Sequence, residues 1–328
     1  MDVDIRVIHG DALSIKCDVL ALKYAEAFYG VDLAVANILK AEGLDLEPLV
    51  PKPSGFRLVE SRGRIVAKAI LFVGVGDLRQ FDYRQIREFG RKVLASLAGN
   101  EPQTRHVCLT VHGPGYGLDE TEAFEAEIAG LLDAIRSDDV PPNLSRITIT
   151  EQNPGRAKRL QQLLKDALPQ KRNAPTPRSR APKERSQQKH LETVGYDSED
   201  KPRIFVAMPF ADNLEDTFHY GIEAPVKAAG FLCERADLST FTGDILAWIK
   251  KRIASSHLVI ADLTTANPNV YLEVGYAWGC NKPTILLVKD TRELKFDVQS
   301  QRCIEYKKIT DLEESLKKYL RAPGFYVS

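Results

Sequence analysis

The sequence predicts an α/β protein of two domains, and three observations carry that expectation. Its 328 residues exceed what one domain ordinarily holds. Strand-like and helix-like runs alternate through both halves of the chain. Between the halves, from Pro169 to about Lys201, hydrophobicity collapses. Pro, Ser and Gln there alternate with Lys171, Arg172, Arg178, Arg180, Lys183, Arg185 and Lys189. The expected divisions are residues 1–169, a basic solvated spacer over 170–201, and residues 202–328.

In the first half, Ile5–Ile8 reads as a strand, His9–Asp11 as a turn and Asp18–Leu22 as a second strand. Val31 to Leu39 has amphipathic helical spacing. Pro48, Pro51 and Pro53 then interrupt the chain ahead of strands at 55–60 and 65–73. Ile70–Gly76 closes a buried strand on glycines. Tyr83–Leu97 follows as a helix with Ile86, Phe89, Val93 and Leu97 on one face. The strand His106–Val111 empties into His112-Gly-Pro-Gly-Tyr-Gly117, ahead of a helix over 120–135, a strand over 147–150 and a helix over 156–168.

In the second half, Arg203–Met208 reads as a buried strand followed by the loop Pro209–Asn213. The helix expected over 214–229 contains Pro225 and is therefore kinked or split. Strands follow at 231–233, 258–261, 283–288 and 304–306. Helices follow at 244–256, with Ile245, Trp248, Ile249 and Ile253 inward, and at 311–320. This strict alternation predicts a parallel, doubly wound sheet whose ligands sit at the carboxyl ends of the strands. Three acid-bearing loops converge there: 208–212, 237–244 and 262–273.

Composition narrows the function. Formal net charge is zero, so the chain as a whole offers no electrostatic case for nucleic acid or membrane. The basic spacer lacks interleaved aromatics and so provides no stacking platform. No apolar run approaches a membrane span and the start is not that of a signal peptide, which makes the cytoplasm the expected location. Five scattered cysteines without C-x-x-C spacing argue for reduced thiols, and no metal is expected.

The opening Val7-Ile-His-Gly-Asp-Ala-Leu13 with Cys17-Asp-Val-Leu-Ala-Leu22 resembles the start of a macro domain. Phe72-Val-Gly-Val-Gly76 is similar to the macro-like amino-terminal domain of leucyl aminopeptidases. The resemblance implies a macro-like α/β fold and a site for an ADP-ribose-like ligand. Asp11 would take the adenine, and Gly113, Gly115, Tyr116 and Gly117 the diphosphate, with Gly74 at a neighbouring strand end. Glycines ahead of a helix let backbone N–H groups converge on an anion. The Asn-Ala-Ala-Asn signature of active macro domains is replaced by Lys23-Tyr-Ala-Glu26, which puts hydrolysis of ADP-ribosyl groups in doubt. Read without the resemblance, the glycines and Asp11 are equally ordinary as turn residues.

Phe205-Val-Ala-Met-Pro-Phe210, Ile253-Ala-Ser-Ser-His-Leu-Val-Ile-Ala-Asp-Leu-Thr264, Asn267-Pro-Asn-Val-Tyr-Leu-Glu-Val-Gly-Tyr-Ala277 and Lys282-Pro283 resemble bacterial TIR-like domains. Nucleoside 2-deoxyribosyltransferases share the pattern. The resemblance implies a flavodoxin-like (TIR-like) parallel sheet and makes Glu273 the catalytic residue against an N-glycosidic bond. Pro209, Phe210, Asp212, Phe241, Asp244, Asp262 and Asn269 are the expected substrate contacts. Breaking a ribose C–N bond builds positive charge on the sugar, which a carboxylate stabilises or captures. Nicotinamide leaves NAD as a neutral base and needs no general acid. A purine needs one, and Asp212, Asp244 and Asp262 are its candidates. Asp262 also fits a turn cap, Asp244 a helix N-cap, and Glu273 a buried acid paired with Lys282 or Arg252.

The expectation that follows is a TIR-like effector cleaving the ribose–nicotinamide bond of NAD. NAD enters as substrate, with no cofactor. The macro-like half would act as sensor, and the resemblance implies homo-oligomerisation and a role in antiphage defence. The alternatives are a nucleoside N-glycosidase or deoxyribosyltransferase, and a non-enzymatic nucleotide-binding adaptor.

Overall fold

The computed structural model describes residues 3–322 apart from 29, 46, 77–80, 115–116, 169–186, 188, 210, 236–244, 296–297, 299–300 and 302. The chain divides into two compact units, Met1–Gly113 with Glu120–Glu199 and Pro114–Asp119 with Asp200–Ser328.

The first unit holds strands β1 (Asp4–His9), β2 (Val19–Tyr24), β3 (Phe56–Glu60), β4 (Ala69–Gly74), β5 (His106–Thr110) and β6 (Arg146–Glu151). Its helices are α1 (Gly30–Ala41), α2 (Tyr83–Asn100), α3 (Glu120–Arg136) and α4 (Pro154–Ala167). The sheet runs β1-β6-β5-β2-β4-β3, parallel throughout except where β3 pairs antiparallel with β4. Alternation along the strands supplies two cores, because successive side chains point to opposite faces. Val19, Ala21, Leu71, Val73, Val107 and Leu109 pack with Phe89, Phe124, Leu131 and Leu160 of α2, α3 and α4. Leu20, Leu22, Ile70, Phe72 and Cys108 pack with Val35 and Leu39 of α1. The strand expected over 65–73 begins at Ala69; Ile65 and Ala67 are buried in the connection before it.

Helices α2 and α3 cross with their main chains in contact. A Cβ on Gly90 would lie 2.6 Å from the Glu127 carbonyl oxygen, and one on Gly130 would lie 1.9 Å from that of Arg87. Beside the crossing, Arg87 donates through Nε and Nη2 to both Asp133 oxygens at 2.7 and 3.0 Å, and through Nη1 to the Val194 carbonyl at 2.6 Å. The spacer expectation is thereby corrected over 189–200. Leu191, Val194 and Ser198 are buried, and Ser198 Oγ donates to Glu122 at 2.5 Å. Arg87, itself only 3% exposed, finds its remaining acceptor in that segment. Of the expected spacer, 169–186 and 188 lie outside the described residues.

The second unit holds β7 (Arg203–Ala207), β8 (Leu232–Glu234), β9 (Leu258–Asp262), β10 (Thr284–Val288) and β11 (Cys303–Glu305). Its helices are α5 (Ala224–Ala228), α6 (Ile245–Ser255), α7 (Pro268–Gly279) and α8 (Ile309–Leu320). The all-parallel order β11-β10-β9-β7-β8 is the flavodoxin-like one, with its topological switch point between β7 and β9. Phe218, Ile222, Val226, Leu312 and Leu316 cover one sheet face over Ile204, Val206, Leu258, Ile260 and Leu287. Helices α6 and α7 pack together against the strands as well. The break expected at Pro225 takes the form of a π-helical stretch, Thr217–Glu223, running into α5. Proline has no N–H to continue the regular ladder, and the Ala224 N–H reaches back five residues to the His219 carbonyl.

Candidate functional site

Because every strand of the second sheet is parallel, the carboxyl ends of β7, β8 and β9 share one edge. Helix α7 starts there. Asn267 caps it by accepting the Asn269 N–H at 2.9 Å, and Pro268 occupies its first turn. The buried positions of α7 are Val270, Glu273, Val274 and Ala277, the spacing of one helical stripe. Leu272 and Trp278 are exposed on other sides. Glu273 is the sole charged residue of the helix, and it lies on the inward stripe.

Glu273 is 8% exposed, and among the described residues no hydrogen bond or ion pair reaches its carboxylate. Burial alone pushes its pKa up to about 8. Both partners offered by the sequence are engaged elsewhere. Lys282 Nζ donates to the Ser256 carbonyl at 2.9 Å. Arg252 grips Glu234, itself fully buried, through Nε at 2.9 Å and through Nη2. The pairing of Glu273 with Lys282 or Arg252 is therefore replaced by an acid without a counter-charge among the described residues.

Asp262, at the end of β9, is fully buried. Its Oδ1 accepts the Thr264 N–H at 2.9 Å and its Oδ2 accepts the Tyr306 hydroxyl at 2.7 Å. This is the turn-capping arrangement, with one hydrogen bond on each oxygen. Burial and the Asp262 carboxylate raise the Tyr306 pKa. Pro209 is buried two residues past the end of β7, while Asn269 is exposed. Phe210, Phe241 and Asp244 lie outside the described residues, as does the side chain of Asp212, whose backbone opens the turn Asp212–Leu214.

A polar cluster at the same edge escaped the sequence reading. Arg235, one residue past β8, donates to Glu215 at 2.8 Å, approaches Met208 Sδ at 3.8 Å and lies 3.8 Å from the Phe218 ring centroid. His219 Nδ1 is 2.6 Å from Glu223, and His219 Nε2 is 3.3 Å from Glu215. Lys227 reaches Glu223 at 2.6 Å and Asp119 at 3.2 Å. The His219 contact, aided by Arg235, holds Glu215 at about 2. For Glu223, burial opposes ionisation, but His219 and Lys227 outweigh it and the carboxyl also stands at about 2. The sequence signal was present, since Glu215, His219, Glu223 and Lys227 recur every four residues.

In the first unit, Asp11 is half-buried and accepts the Leu13 N–H at 3.0 Å, a turn role. Gly74 is explained by close approach, as a Cβ there would lie 2.3 Å from the Lys52 carbonyl oxygen. A cavity of about 190 Å³ beside it is lined by Ser54, Val75, Arg84, Gln85 and Lys92. Gly113, φ +107°, lies three residues past β5 in the first unit, whereas Gly117, φ +83°, falls in the second unit. In that unit Asp119 accepts the Cys233 N–H at 3.0 Å. Gly115 and Tyr116 lie outside the described residues. Just before Gly113, the buried His112 turns its backbone N–H and Nδ1 to Glu127 Oε2 at 3.1 and 3.4 Å.

A cavity of about 500 Å³ lies at the amino ends of β2 and β4, lined by Asp18, Glu60, Arg62, Lys68 and Thr104. Parallel sheets bind ligands at the opposite edge, and Asp18 is occupied by Lys68 and by the Arg105 and His106 N–H groups. Among the described residues, Glu122, Glu125 and His190 bring metal-type ligand atoms within 4.8 Å of one another. His190 Nε2 stands 2.9 Å from Glu125, which an ion pair accounts for.

No family model matches the chain, and no curated protein matches it. Among solved structures it is similar to a Trypanosoma brucei macrodomain in complex with ADP, at 13% identity and a TM-score of 0.40, over 49% of this chain and 69% of that one. The same organism's macrodomain in complex with ADP-ribose gives 16% identity and a TM-score of 0.39, over 49% and 68% of the two chains. A mutant macrodomain of Oceanobacillus iheyensis with ADPR gives 14% and 0.41, over 50% of this chain and 93% of that one.

Proposed function

We propose that the second unit cleaves the N-glycosidic bond between ribose and nicotinamide in NAD, with Glu273 as the group that acts on the sugar. The observation that supports this reading is the burial of a lone carboxyl on the inward stripe of α7, at the carboxyl edge of the sheet. An acid without a counter-charge among the described residues is poised to answer positive charge that arrives with the substrate. NAD brings such a charge on its pyridinium ring. A bound cation favours ionisation of Glu273, so the proton leaves on binding and the carboxylate faces the developing oxocarbenium ion. The nicotinamide departs as a neutral base, so the withdrawal of Asp262 into the turn is no obstacle. The first unit, by this proposal, binds an ADP-ribose-like nucleotide near Gly113. Together with self-association it governs the activity, the arrangement of an antiphage effector.

One observation favours a second reading. A carboxyl with a pKa near 8 is protonated at neutral pH and can itself protonate a departing purine. The pH profile separates the two. As a carboxylate, Glu273 gives a kcat/KM that rises with pH through about 8; as a general acid, one that falls through it. The assay incubates the full chain with NAD and with deoxynucleosides and separates the products by chromatography. Expected is nicotinamide release that drops by about 10²–10³-fold in Glu273→Gln. Free purine or pyrimidine with intact NAD would overturn the NAD reading. Calorimetry of the full chain with ADP-ribose tests the first unit, and absence of binding removes its proposed ligand.

A further inference from the structure

The connection between β9 and α7 is built in an unfavourable backbone conformation. Thr265 has φ +72° and ψ 4°, and Ala266 has φ +48°. Neither is glycine, and a β-branched residue at positive φ is an outlier that persists only where its surroundings hold it. The surroundings are specific. Asp262 accepts the Thr264 N–H on one oxygen and the Tyr306 hydroxyl on the other. Thr264 Oγ1 accepts the Lys289 N–H at 3.2 Å, and the Leu263 N–H donates to the Leu287 carbonyl at 2.8 Å. Tyr306, 2% exposed, follows β11 at the far edge of the sheet, and its own N–H donates to the Val288 carbonyl at 3.0 Å.

The strained pair ends at Asn267, the cap of α7, and Glu273 lies six residues further on, about 9 Å along the helix axis. The hydrogen bonds at Asp262 therefore fix where α7 begins, and the rigid helix carries that position to Glu273. We propose that Tyr306, acting through Asp262, is a positioning residue for Glu273: it holds the strained turn 264–266 closed and so sets the depth at which the carboxyl faces the substrate. This rests on the reading of Glu273 given above. Tyr306 touches no reacting atom.

The test uses the full chain in three forms: wild type, Tyr306→Phe, and Tyr306→Phe with Thr265→Gly and Ala266→Gly. Glycine adopts positive φ without strain, so the added glycines remove what Tyr306 has to hold. Tyr306→Phe is expected to speed amide hydrogen exchange over 263–273. It is expected to lower kcat for nicotinamide release about 10- to 100-fold while KM stays within about two-fold. The glycine pair restores both, which a merely structural loss would not do. Unchanged exchange in Tyr306→Phe overturns the positioning role whether or not the wild type cleaves NAD. Faster exchange with unchanged kcat overturns it too. A wild type that cleaves no N-glycosidic bond overturns the reading of Glu273, and this inference with it. Should Tyr306→Phe fail to fold, the glycine pair alone carries the test. Expected is a higher midpoint in urea with kcat unchanged; a lower midpoint shows that the turn stores no strain and ends the proposal.

Discussion

Replacing Glu273 with glutamine keeps the size and shape of the side chain and removes only its ionisation. In the folded chain burial lifts this carboxyl from its ordinary 4.5 to about 8. A group whose folded pKa lies above its unfolded value contributes stability that is complete below the unfolded pKa. That stability drains as pH rises, here between pH 4.5 and about 8. At ~1.4 kcal/mol per unit the gap is on the order of 5 kcal/mol once the carboxyl is fully ionised. Both tryptophans of the chain, Trp248 and Trp278, sit in α6 and α7. Urea unfolding followed by their fluorescence therefore reports the second unit alone. The two proteins are expected to unfold nearly together at pH 5. The glutamine variant becomes the more stable by about 3 kcal/mol at pH 7 and by roughly 4–5 kcal/mol at pH 9. A difference that stays constant from pH 5 to pH 9 would refute the reasoning, because it would mean that Glu273 ionises in the folded chain as it does in the unfolded one.

Three further outcomes follow from the packing. Gly130→Ala would place a methyl 1.9 Å from the Arg87 carbonyl oxygen, and is expected to cost about 3 kcal/mol or more, read as faster hydrogen exchange over α2 and α3. Arg252→Ala removes the close partner of the buried Glu234 and leaves Arg203 at 3.9 Å, and should lower the stability of the second unit by about 2–3 kcal/mol in the same tryptophan-monitored titration, although Glu273 is untouched. Glu215 and Glu223, both held at about 2, act in the opposite sense to Glu273. Their contribution is present above pH 4.5 and is lost as pH falls toward 2, so His219→Ala should flatten the acid limb of the stability curve measured by thermal unfolding.

The strands and most helices were legible because their signals are local. The alternation Val19-Leu20-Ala21-Leu22 divides between two cores as a period of two requires. The π-helical break was legible in kind, since Pro225 forbids a regular ladder, but not in form. Glu273 stood out in the sequence as an acid among apolar neighbours; its isolation did not. Lys282 is nine residues from Glu273 in the chain, yet its acceptor, Ser256, lies 26 residues away; Arg252 turns instead to Glu234, 18 residues before it, and nothing in the local pattern marks either choice. Tyr306 was invisible for the same reason, being 44 residues from Asp262. Composition misled at 189–200, where few apolar residues are present and a hydroxyl, a carbonyl and one arginine do the anchoring. Gly74 drew attention as a ligand glycine, while the backbone that passes over it, at Lys52, left no trace in the local pattern.

The crossing of α2 and α3 at Gly90 and Gly130 limits how the first unit can respond to anything bound at its strand ends. Helices that slide past one another do so by small shifts of interlocked side chains. Where main chain meets main chain there is no such layer to rearrange, so the pair behaves as a single girder. Motion in that unit must then arise in the loops that flank the girder, and a ligand that leaves those loops unchanged will leave the rest of the unit unaware of it.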